Sequence, residues 1–312
     1  MDISIICPTY NEINYIDQVV ADLCRNDNLN KEVLVIDGGS TDGTIERIQV
    51  LMTKYPMLVL INNPRKTSTA AFNIGCGVAK GAYVAFVGAH ANYSENYFAK
   101  GVEILRTGKC DAVGGPLDQQ GKSQVGKAIA CVMSSKYGVG NTEFRTSKRE
   151  MFVDSVAFAI YRKSMIDQVG LMDESLPVNQ DDEFHYRLNA KGYKILMSPE
   201  INSTYYVRES YKKLFIQYYR YGLYKPLVLK SVKGAVRLRH LIPSIFVLYL
   251  FSLPIALFSW WWFFPLLAYL MLILIISMKM KQGFAVKILC IPVFPVLHIS
   301  YGAGFLFGIL KR

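Results

Sequence analysis

The chain has 312 residues, of which 52% are apolar and only 19% charged, and it carries a formal net charge of +11. That length suits one large α/β domain with an appendage, and the apolar excess is unusual for a purely soluble protein of this size. The positive balance invites a nucleic-acid partner. No nucleic-acid-binding motif accompanies it, however, and its densest block stands directly before an apolar tail, so that class is excluded.

The apolar residues are not evenly spread. They collect after residue 240, so the composition describes two solvents, water for the first part and lipid for the second. The block Arg208, Lys212, Lys213, Arg220, Lys225, Lys230, Lys233, Arg237 and Arg239 contains almost no acid except Glu209. A basic stretch beside an apolar one is what the positive-inside bias and anionic lipids predict. Cys7, Cys24, Cys76, Cys110, Cys131 and Cys290 form no CxxC pair and no metal-ligand spacing, which reads as buried, reduced thiols. The N-terminus runs straight into an apolar segment without a basic leader or cleavage site, so no signal peptide is expected and the first domain is expected in the cytoplasm.

Along the chain, apolar runs at 3–7, 33–36, 58–61 and 83–87 predict strands, and 13–24 and 44–54 predict helices between them. Strand and helix in alternation imply a mainly parallel sheet flanked by helices. Ligands of such sheets bind beyond the carboxyl ends of the strands, here after residues 7, 36 and 87. From 114 to 149 the sequence is polar and Gly-rich and reads as a mobile loop region. A strand over 152–161, a helix from about 163 and a helix opened by the acidic run 180–183 follow. Phe184 and Leu188 form an i, i+4 apolar pair on that last helix.

Residues 241–278 are 38 positions without one charged side chain. One helix of that length would measure about 57 Å, against a hydrocarbon layer of about 30 Å, so a hairpin of two spans is expected. Trp260, Trp261, Trp262 and Pro265 mark its turn. The uncharged run 288–310, interrupted by Pro292, Pro295 and His298, reads as a third span or a re-entrant element. The implied division is a domain over 1–225, a basic juxtamembrane segment over 226–240 and a membrane region over 241–312.

Chemistry concentrates at the strand ends. Pro8, Thr9, Tyr10, Asn11 and Glu12 form a polar loop after the first strand, where Tyr10 can stack on a nucleotide base and Thr9 hydrogen-bond to it. Asp37, Gly38, Gly39, Ser40, Thr41, Asp42 and Gly43 follow the second strand. A tight turn with a helix cap accounts for Gly43, Thr44 and Asp42 and leaves Asp37 to accept a hydrogen bond from a base N–H. No GxGxxG and no GxxxxGK[ST] is present, so neither a dinucleotide site nor a P-loop is supported.

These two loops resemble those of the inverting family 2 glycosyltransferases, whose GT-A fold is a Rossmann-like mixed sheet. Asn73 and Gly75, then Ala79, Lys80 and Gly81, resemble the family's stretch before its metal motif. The run from Asn179 to Phe184 with Arg187 and Leu188 resembles its Glu-Asp-x-Glu-Leu-x-x-Arg-Leu helix start, and Gln217, Arg220 and Tyr221 resemble its Gln-x-x-Arg-Trp element. The similarity is greatest to the membrane-anchored subgroup that builds bacterial exopolysaccharides, the succinoglycan glucosyltransferases among them.

The resemblance implies roles. Asp181 becomes the general base, with Gln180 in place of the family's glutamate and Asp182 beside it. Asp37, Gly38, Asp42, Asn73 and Gly88 join the Pro8–Glu12 loop, residues 8–12, in binding the nucleotide-sugar donor. Asp182, Gln217, Arg220 and Tyr221 face acceptor and diphosphate. The family's DxD metal motif falls on Gly88, Ala89 and His90, which leaves His90 to hold a divalent cation, Mn2+ rather than Mg2+ because the ligand is an imidazole. The implied partners are a nucleotide-sugar, with uridine the expected base, a polyprenyl-diphosphate-linked sugar as acceptor, and membrane lipids. The implied place is the inner membrane with the catalytic domain cytoplasmic. A polyprenyl-phosphate sugar synthase and a non-catalytic member of an assembly complex, motivated by Gly88, remain as alternatives.

Overall fold

The computed structural model describes residues 1–89, 91–140, 142–232 and 238–311. In chain order the first part contains β1 (Ile3–Thr9), α1 (Ile16–Leu23), β2 (Lys31–Asp37), α2 (Thr44–Lys54), β3 (Leu58–Asn62), α3 (Ser68–Val78), β4 (Tyr83–Phe86), β5 (Ala91–Tyr93) and α4 (Tyr97–Arg106). Then come β6 (Ala112–Gly114), β7 (Leu117–Gln120), α5 (Gln124–Met133), α6 (Glu143–Thr146), β8 (Met151–Phe152), β9 (Ile160–Arg162), α7 (Lys163–Val169) and α8 (Gln180–Ala190). The rest is β10 (Ile195–Met197), β11 (Ser203–Tyr206), α9 (Tyr211–Ser231), α10 (Leu238–Phe251), α11 (Phe264–Lys279), α12 (Phe284–Cys290) and α13 (Val293–Leu310). The chain divides into two units, Met1–Asp118 with Ser147–Tyr205 and Gln119–Thr146 with Tyr206–Arg312.

The first unit is built on an eight-stranded sheet of order β3-β2-β1-β4-β9-β6-β10-β8. Strands β1, β2, β3 and β4 run parallel, and β9 lies antiparallel between β4 and β6. Continuous apolar runs in β1 and β2 leave nearly every residue of both strands buried, because helices cover both faces of the sheet. The chain builds β1, β2 and β3 outward and then returns to set β4 against the other side of β1. That reversal makes a crevice at the carboxyl ends of β1 and β4, the usual ligand site of an open α/β sheet.

Two glycines named by the family resemblance serve packing. A Cβ on Gly81 would stand 2.5 Å from the backbone N of Ser4, and one on Gly75 2.6 Å from Ile6 Cδ1, so only glycine admits these approaches to β1. The four predicted strands and α2 and α8 fall where the sequence puts them. Helix α1 starts three residues later than expected, because Tyr15 and Ile16 N–H both turn back to the Glu12 carbonyl. The strand expected over 152–161 is instead two strands, β8 and β9, joined by a loop over 153–159 in which Phe158 takes the left-handed conformation, φ +51°. A bulky residue there cannot continue a pleated strand.

The second unit corrects the expected loop over 114–149. Half of that stretch is ordered as β7, α5 and α6, with Ser123 capping α5 through the Gly126 N–H and the Glu209 carboxylate binding the Lys122 and Ser123 N–H groups. Its polarity reflects helix capping, not mobility. Helix α13 packs on α9 and α10, with Gly222, Gly304 and Gly308 letting the α9 and α13 backbones approach and Gly302 admitting Pro243. Two helical stretches, Trp260–Lys279 and Phe284–Leu310, are long and apolar enough to cross a membrane. The first arm of the expected hairpin is not. Helix α10 has 14 residues and stops at Phe251, where a 3-10 turn over Leu253–Leu257 takes over. At ~1.5 Å per residue it reaches about 21 Å. Much of the α11 surface is bare hydrocarbon: Leu267, Leu270, Met271 and Leu272 are all exposed.

Candidate active site

The loops after β1 and β2 are laced together. Gly38 N–H donates to the Thr9 carbonyl at 2.9 Å, which brings the loops side by side. Asn11 N–H donates to Ser40 Oγ at 2.8 Å, and Thr41 N–H returns a bond to Asn11 Oδ1 at 2.9 Å. Glu12 N–H donates to Thr44 Oγ1 at 2.9 Å and Ile13 N–H to Asp42 Oδ2 at 3.1 Å. The left-handed backbone at Asn11, Gly39 and Gly43 makes these turns possible. Asp42 also accepts from Thr44, and these hydrogen bonds hold its carboxyl below the ordinary range. The cap of α2 itself is Gly43.

Asp37 is the reason the second loop turns. Its Oδ1 accepts the Gly39 and Ser40 N–H groups, both at 2.8 Å, and its Oδ2 accepts Ser40 Oγ–H at 2.5 Å. The sequence reading left this carboxylate outside the turn, and the structure corrects that: Asp37 is its keystone. Thr9 is buried with its hydroxyl bonded back to the Cys7 carbonyl, so it faces the core and not a base. Tyr10 is 54% exposed, and its ring edge lies 3.4 Å from where a Cβ on Gly38 would be. The lacing thus makes a rigid ledge of Pro8, Tyr10, Gly38 and Gly39 with an aromatic face at its lip.

A third loop extends it. Asn63 N–H donates to the Asp37 carbonyl at 2.7 Å, and Lys66, left-handed at φ +58°, brings its Nζ within 3.8 Å of a Cβ position on Gly39. Lys66 is a residue the sequence reading passed over. Its signal is a basic pair, Arg65 and Lys66, directly after the third strand.

Asn73 is held within the fold. Its Nδ2 donates to the Met172 carbonyl at 2.9 Å and to Glu174 Oε1 at 2.8 Å, and its Oδ1 accepts Met172 N–H at 3.1 Å. Both amide hydrogens are engaged, so Asn73 ties α3 to the 172–174 loop. The opening of α8 is tied to α3 as well, by Gln180 Nε2 on Ser68 Oγ at 3.0 Å. Arg187 pairs with Glu183 at 2.7 Å and donates to the Val169 and Leu171 carbonyls, fixing the helix from its far side.

On that anchored helix Asp181 is exposed, with Oδ1 accepting the Asp182 N–H at 3.0 Å. Asp182 is half-buried and accepts Ser155 Oγ–H on Oδ1 at 3.4 Å. Behind it, Ser155 Oγ meets His185 Nδ1 at 2.9 Å and Tyr161 OH meets His185 Nε2 at 2.8 Å. His185 is 1% exposed, and burial pulls its pKa down to about 4 against the opposing charge of Asp182. Sequence reasoning missed Ser155, Tyr161 and His185. The available signal was His185 itself, three and four residues after the two aspartates and on the face they share.

Gly88 is held by its backbone. Its N–H donates to Tyr93 OH at 2.7 Å and its carbonyl accepts from the same hydroxyl at 3.2 Å, so its backbone is turned inward. The place of a side chain there is filled: Phe158 Cε1 stands 2.9 Å from an ideal Cβ. His90, the expected metal ligand, lies outside the described residues. Among the described residues no three His, Cys, Asp or Glu side chains are grouped to hold a metal ion. In the second unit, Gln217, Arg220 and Tyr221 share one face of α9 by their spacing, and Gln217 Nε2 donates to Tyr221 OH at 3.1 Å.

The sequence pattern of the group described as glycosyl transferase family 2 matches residues 4–170, more than half of the chain. The chain belongs to glycosyl transferase family 2. The match stops before α8, so the pattern itself covers the ledge and not Asp181. The transferase is 30% identical over 262 residues to the succinoglycan biosynthesis protein ExoA of Rhizobium meliloti (strain 1021), a match spanning 82% of this chain and 78% of the relative. It is 31% identical over 264 residues to a Methanococcus voltae dolichyl N-acetyl-alpha-D-glucosaminyl phosphate 3-beta-D-2,3-diacetamido-2,3-dideoxy-beta-D-glucuronosyltransferase, 81% of each chain being covered. Its fold is similar to that of the mannosyltransferase PcManGT from Pyrobaculum calidifontis, solved with GDP-Man and Mn2+, at a TM-score of 0.61 and 17% identity, covering 99% of this chain and 86% of that one. The transferase therefore has the GT-A-like mixed α/β fold.

Proposed function

We propose that the transferase moves a sugar with inversion from a nucleoside-diphosphate sugar, a UDP-sugar by the family resemblance, onto a polyprenyl-diphosphate-linked sugar in surface-glycan or exopolysaccharide synthesis. The observation that carries this is the laced ledge at the ends of β1 and β2, rigid, aromatic at its lip and basic beside it. Tyr10 stacks on the base, the Gly38–Gly39 turn lets the nucleotide approach the backbone, and Lys66 meets phosphate charge. The relatives from Rhizobium meliloti and Methanococcus voltae support a glycan product and a lipid-linked acceptor.

In this reading the Asp181 carboxylate takes the proton of the acceptor hydroxyl, whose oxygen attacks the anomeric carbon from the face opposite the diphosphate. The bond from that carbon to the diphosphate oxygen breaks, and the nucleoside diphosphate leaves with the electron pair. Arg220, with Gln217 and Tyr221, attends diphosphate and acceptor. A divalent cation would neutralise charge on the leaving group, as the Mn2+ in the Pyrobaculum calidifontis structure supports. In this reading, as the family resemblance implies, its protein ligand is His90. Helices α11 and α13 enter the bilayer, with the catalytic unit on the cytoplasmic side of the inner membrane.

The test is thermal stability of the detergent-purified chain with UDP, GDP, CDP or ADP. A ligand at a hundredfold excess over its Kd stabilises the folded state by about 2.7 kcal/mol. UDP is expected to raise the melting temperature, and Asp181→Asn to keep that shift while losing sugar transfer. No shift with any of the four nucleotides would overturn the reading.

A further inference from the structure

We propose that Ser155, His185 and Tyr161 are positioning residues for the Asp181–Asp182 pair, holding Asp182 as an anion next to the base and so keeping Asp181 strongly basic. The inference rests on the reading of Asp181 given above and extends it to residues four to twenty-six positions away in sequence.

The hydrogen bonds fix their own direction. The Asp182 carboxylate only accepts, so the Ser155 hydroxyl hydrogen points to it. Ser155 Oγ must then accept from His185 Nδ1–H, which leaves Nε2 without a hydrogen. The Tyr161 hydroxyl donates to that Nε2. One consistent chain therefore runs from Tyr161 through His185 and Ser155 to Asp182, and it requires the neutral Nδ1–H form of the imidazole.

The surroundings enforce that form. From α8 the groups around His185 are Asp182, Asp181 and the Glu183–Arg187 pair; from β9 the group is Tyr161, and from the 153–159 loop Ser155. Burial pushes the Tyr161 hydroxyl's pKa up, and the charge of Asp181 adds to it. Only Asp182 draws His185 toward protonation, and burial outweighs it. The rings of Tyr161 and Phe184 close over the imidazole at 5.8 and 6.3 Å between centroids.

This chain ends on a carboxylate at the start of the helix that carries the base, and its hydrogen bond favours the charged form of Asp182. A second negative charge next to Asp181 raises the affinity of Asp181 for a proton, which is what a base must have. The two acids titrate as a pair, so the set acts on the acid limb of the rate profile and not on donor binding.

The experiment uses the full chain in detergent and follows UDP release from UDP-glucose, UDP-galactose and UDP-N-acetylglucosamine with a polyprenyl-diphosphate-linked sugar present. His185→Leu and Ser155→Ala are expected to lower kcat about tenfold. They leave the donor KM within about twofold and move the acid limb of kcat down by about half to one pH unit, because a less anionic Asp182 raises the proton affinity of Asp181 less. His185→Asn puts an amide N–H at the Nδ1 place and is expected to recover most of the loss. If His185→Leu fails to fold, Ser155→Ala, which deletes one oxygen, decides. On the wild-type chain, 13C resonances of labelled histidine are expected to report His185 as the neutral Nδ1–H form from pH 6 to 8. An Nε2–H or doubly protonated ring at pH 7 overturns the proposal whether or not turnover is seen. Folded variants with unchanged kcat and acid limb, beside a dead Asp181→Asn, also overturn it while leaving the base in place. An active Asp181→Asn removes the base reading instead.

Discussion

Replacing Gly88 with alanine tests why the first carboxylate of the family's metal motif is missing. The new Cβ would lie 2.9 Å from Phe158 Cε1 and 3.5 Å from Cζ. Optimal carbon–carbon separations are ~3.5–4.0 Å, so one side chain must give way. Phe158 is poorly placed to do so. Its carbonyl accepts the Tyr97 hydroxyl at 2.8 Å, its ring sits edge-on to Tyr93 at 5.5 Å, and its backbone is held at φ +51°. Overpacking of this kind costs about 1–3 kcal/mol. At ~2–4 °C per kcal/mol for a unit of this size, a cost of about 2 kcal/mol lowers the melting temperature by about 4–8 °C. The clash is absent in a Phe158→Ala background, where Gly88→Ala should cost under about 0.5 kcal/mol, a coupling of about 1.5 kcal/mol. The assay is a four-member thermal-denaturation cycle on the detergent-purified chain. Equal costs of Gly88→Ala in both backgrounds would show that the ring does not fill the side-chain place. The corollary is that Gly88→Asp regains a carboxylate there only when Phe158 is shortened with it.

Acid should weaken the fold through His185. Its folded pKa lies below its unfolded one, so the stability is present above pH 6.5 and lost as pH falls toward about 4. The loss is about 2 kcal/mol by pH 5 out of roughly 3 in all. Urea midpoints at pH 7.5 and 5.0 should fall further in the wild type than in His185→Asn; parallel falls would contradict this. Gly81→Ala should yield no folded protein, since the new Cβ meets backbone atoms of Ile3 and Ser4 at 2.5–2.7 Å that cannot rotate away. Soluble expression and melting check it. Ser40→Ala removes the acceptor of the Asn11 N–H and the donor to Asp37. It should cost about 1–2 kcal/mol of stability and raise the donor KM with little change in kcat, measured by melting and steady-state kinetics.

By itself the sequence determined whatever depends on near neighbours. The apolar runs of β1 to β4, the helix over 44–54, the acidic opening of α8 and the uncharged C-terminal tail are each written in adjacent residues, through periodicity, turn chemistry and solvent preference. The alternation of strand and helix directs attention to the carboxyl ends of the strands, while the strand order that sets β4 beside β1 came only from the folded sheet. Tertiary structure decided which polar residues face the crevice and which hold it together. That Met172 and Glu174, about a hundred positions on, take up the Asn73 amide is visible only in the fold. Asp37 looks unengaged until the turn closes on it, and Gly88 looks like a simple loss until Phe158 arrives to fill its place. The 14-residue α10 fell short of the expected span because the chain breaks before Pro254, which an uncharged run does not reveal. The Ser155–His185–Tyr161 chain joins a loop, a helix and a strand. Hydrogen bonds and clashes between distant positions depend on distance and angle, and those exist only once the chain has folded.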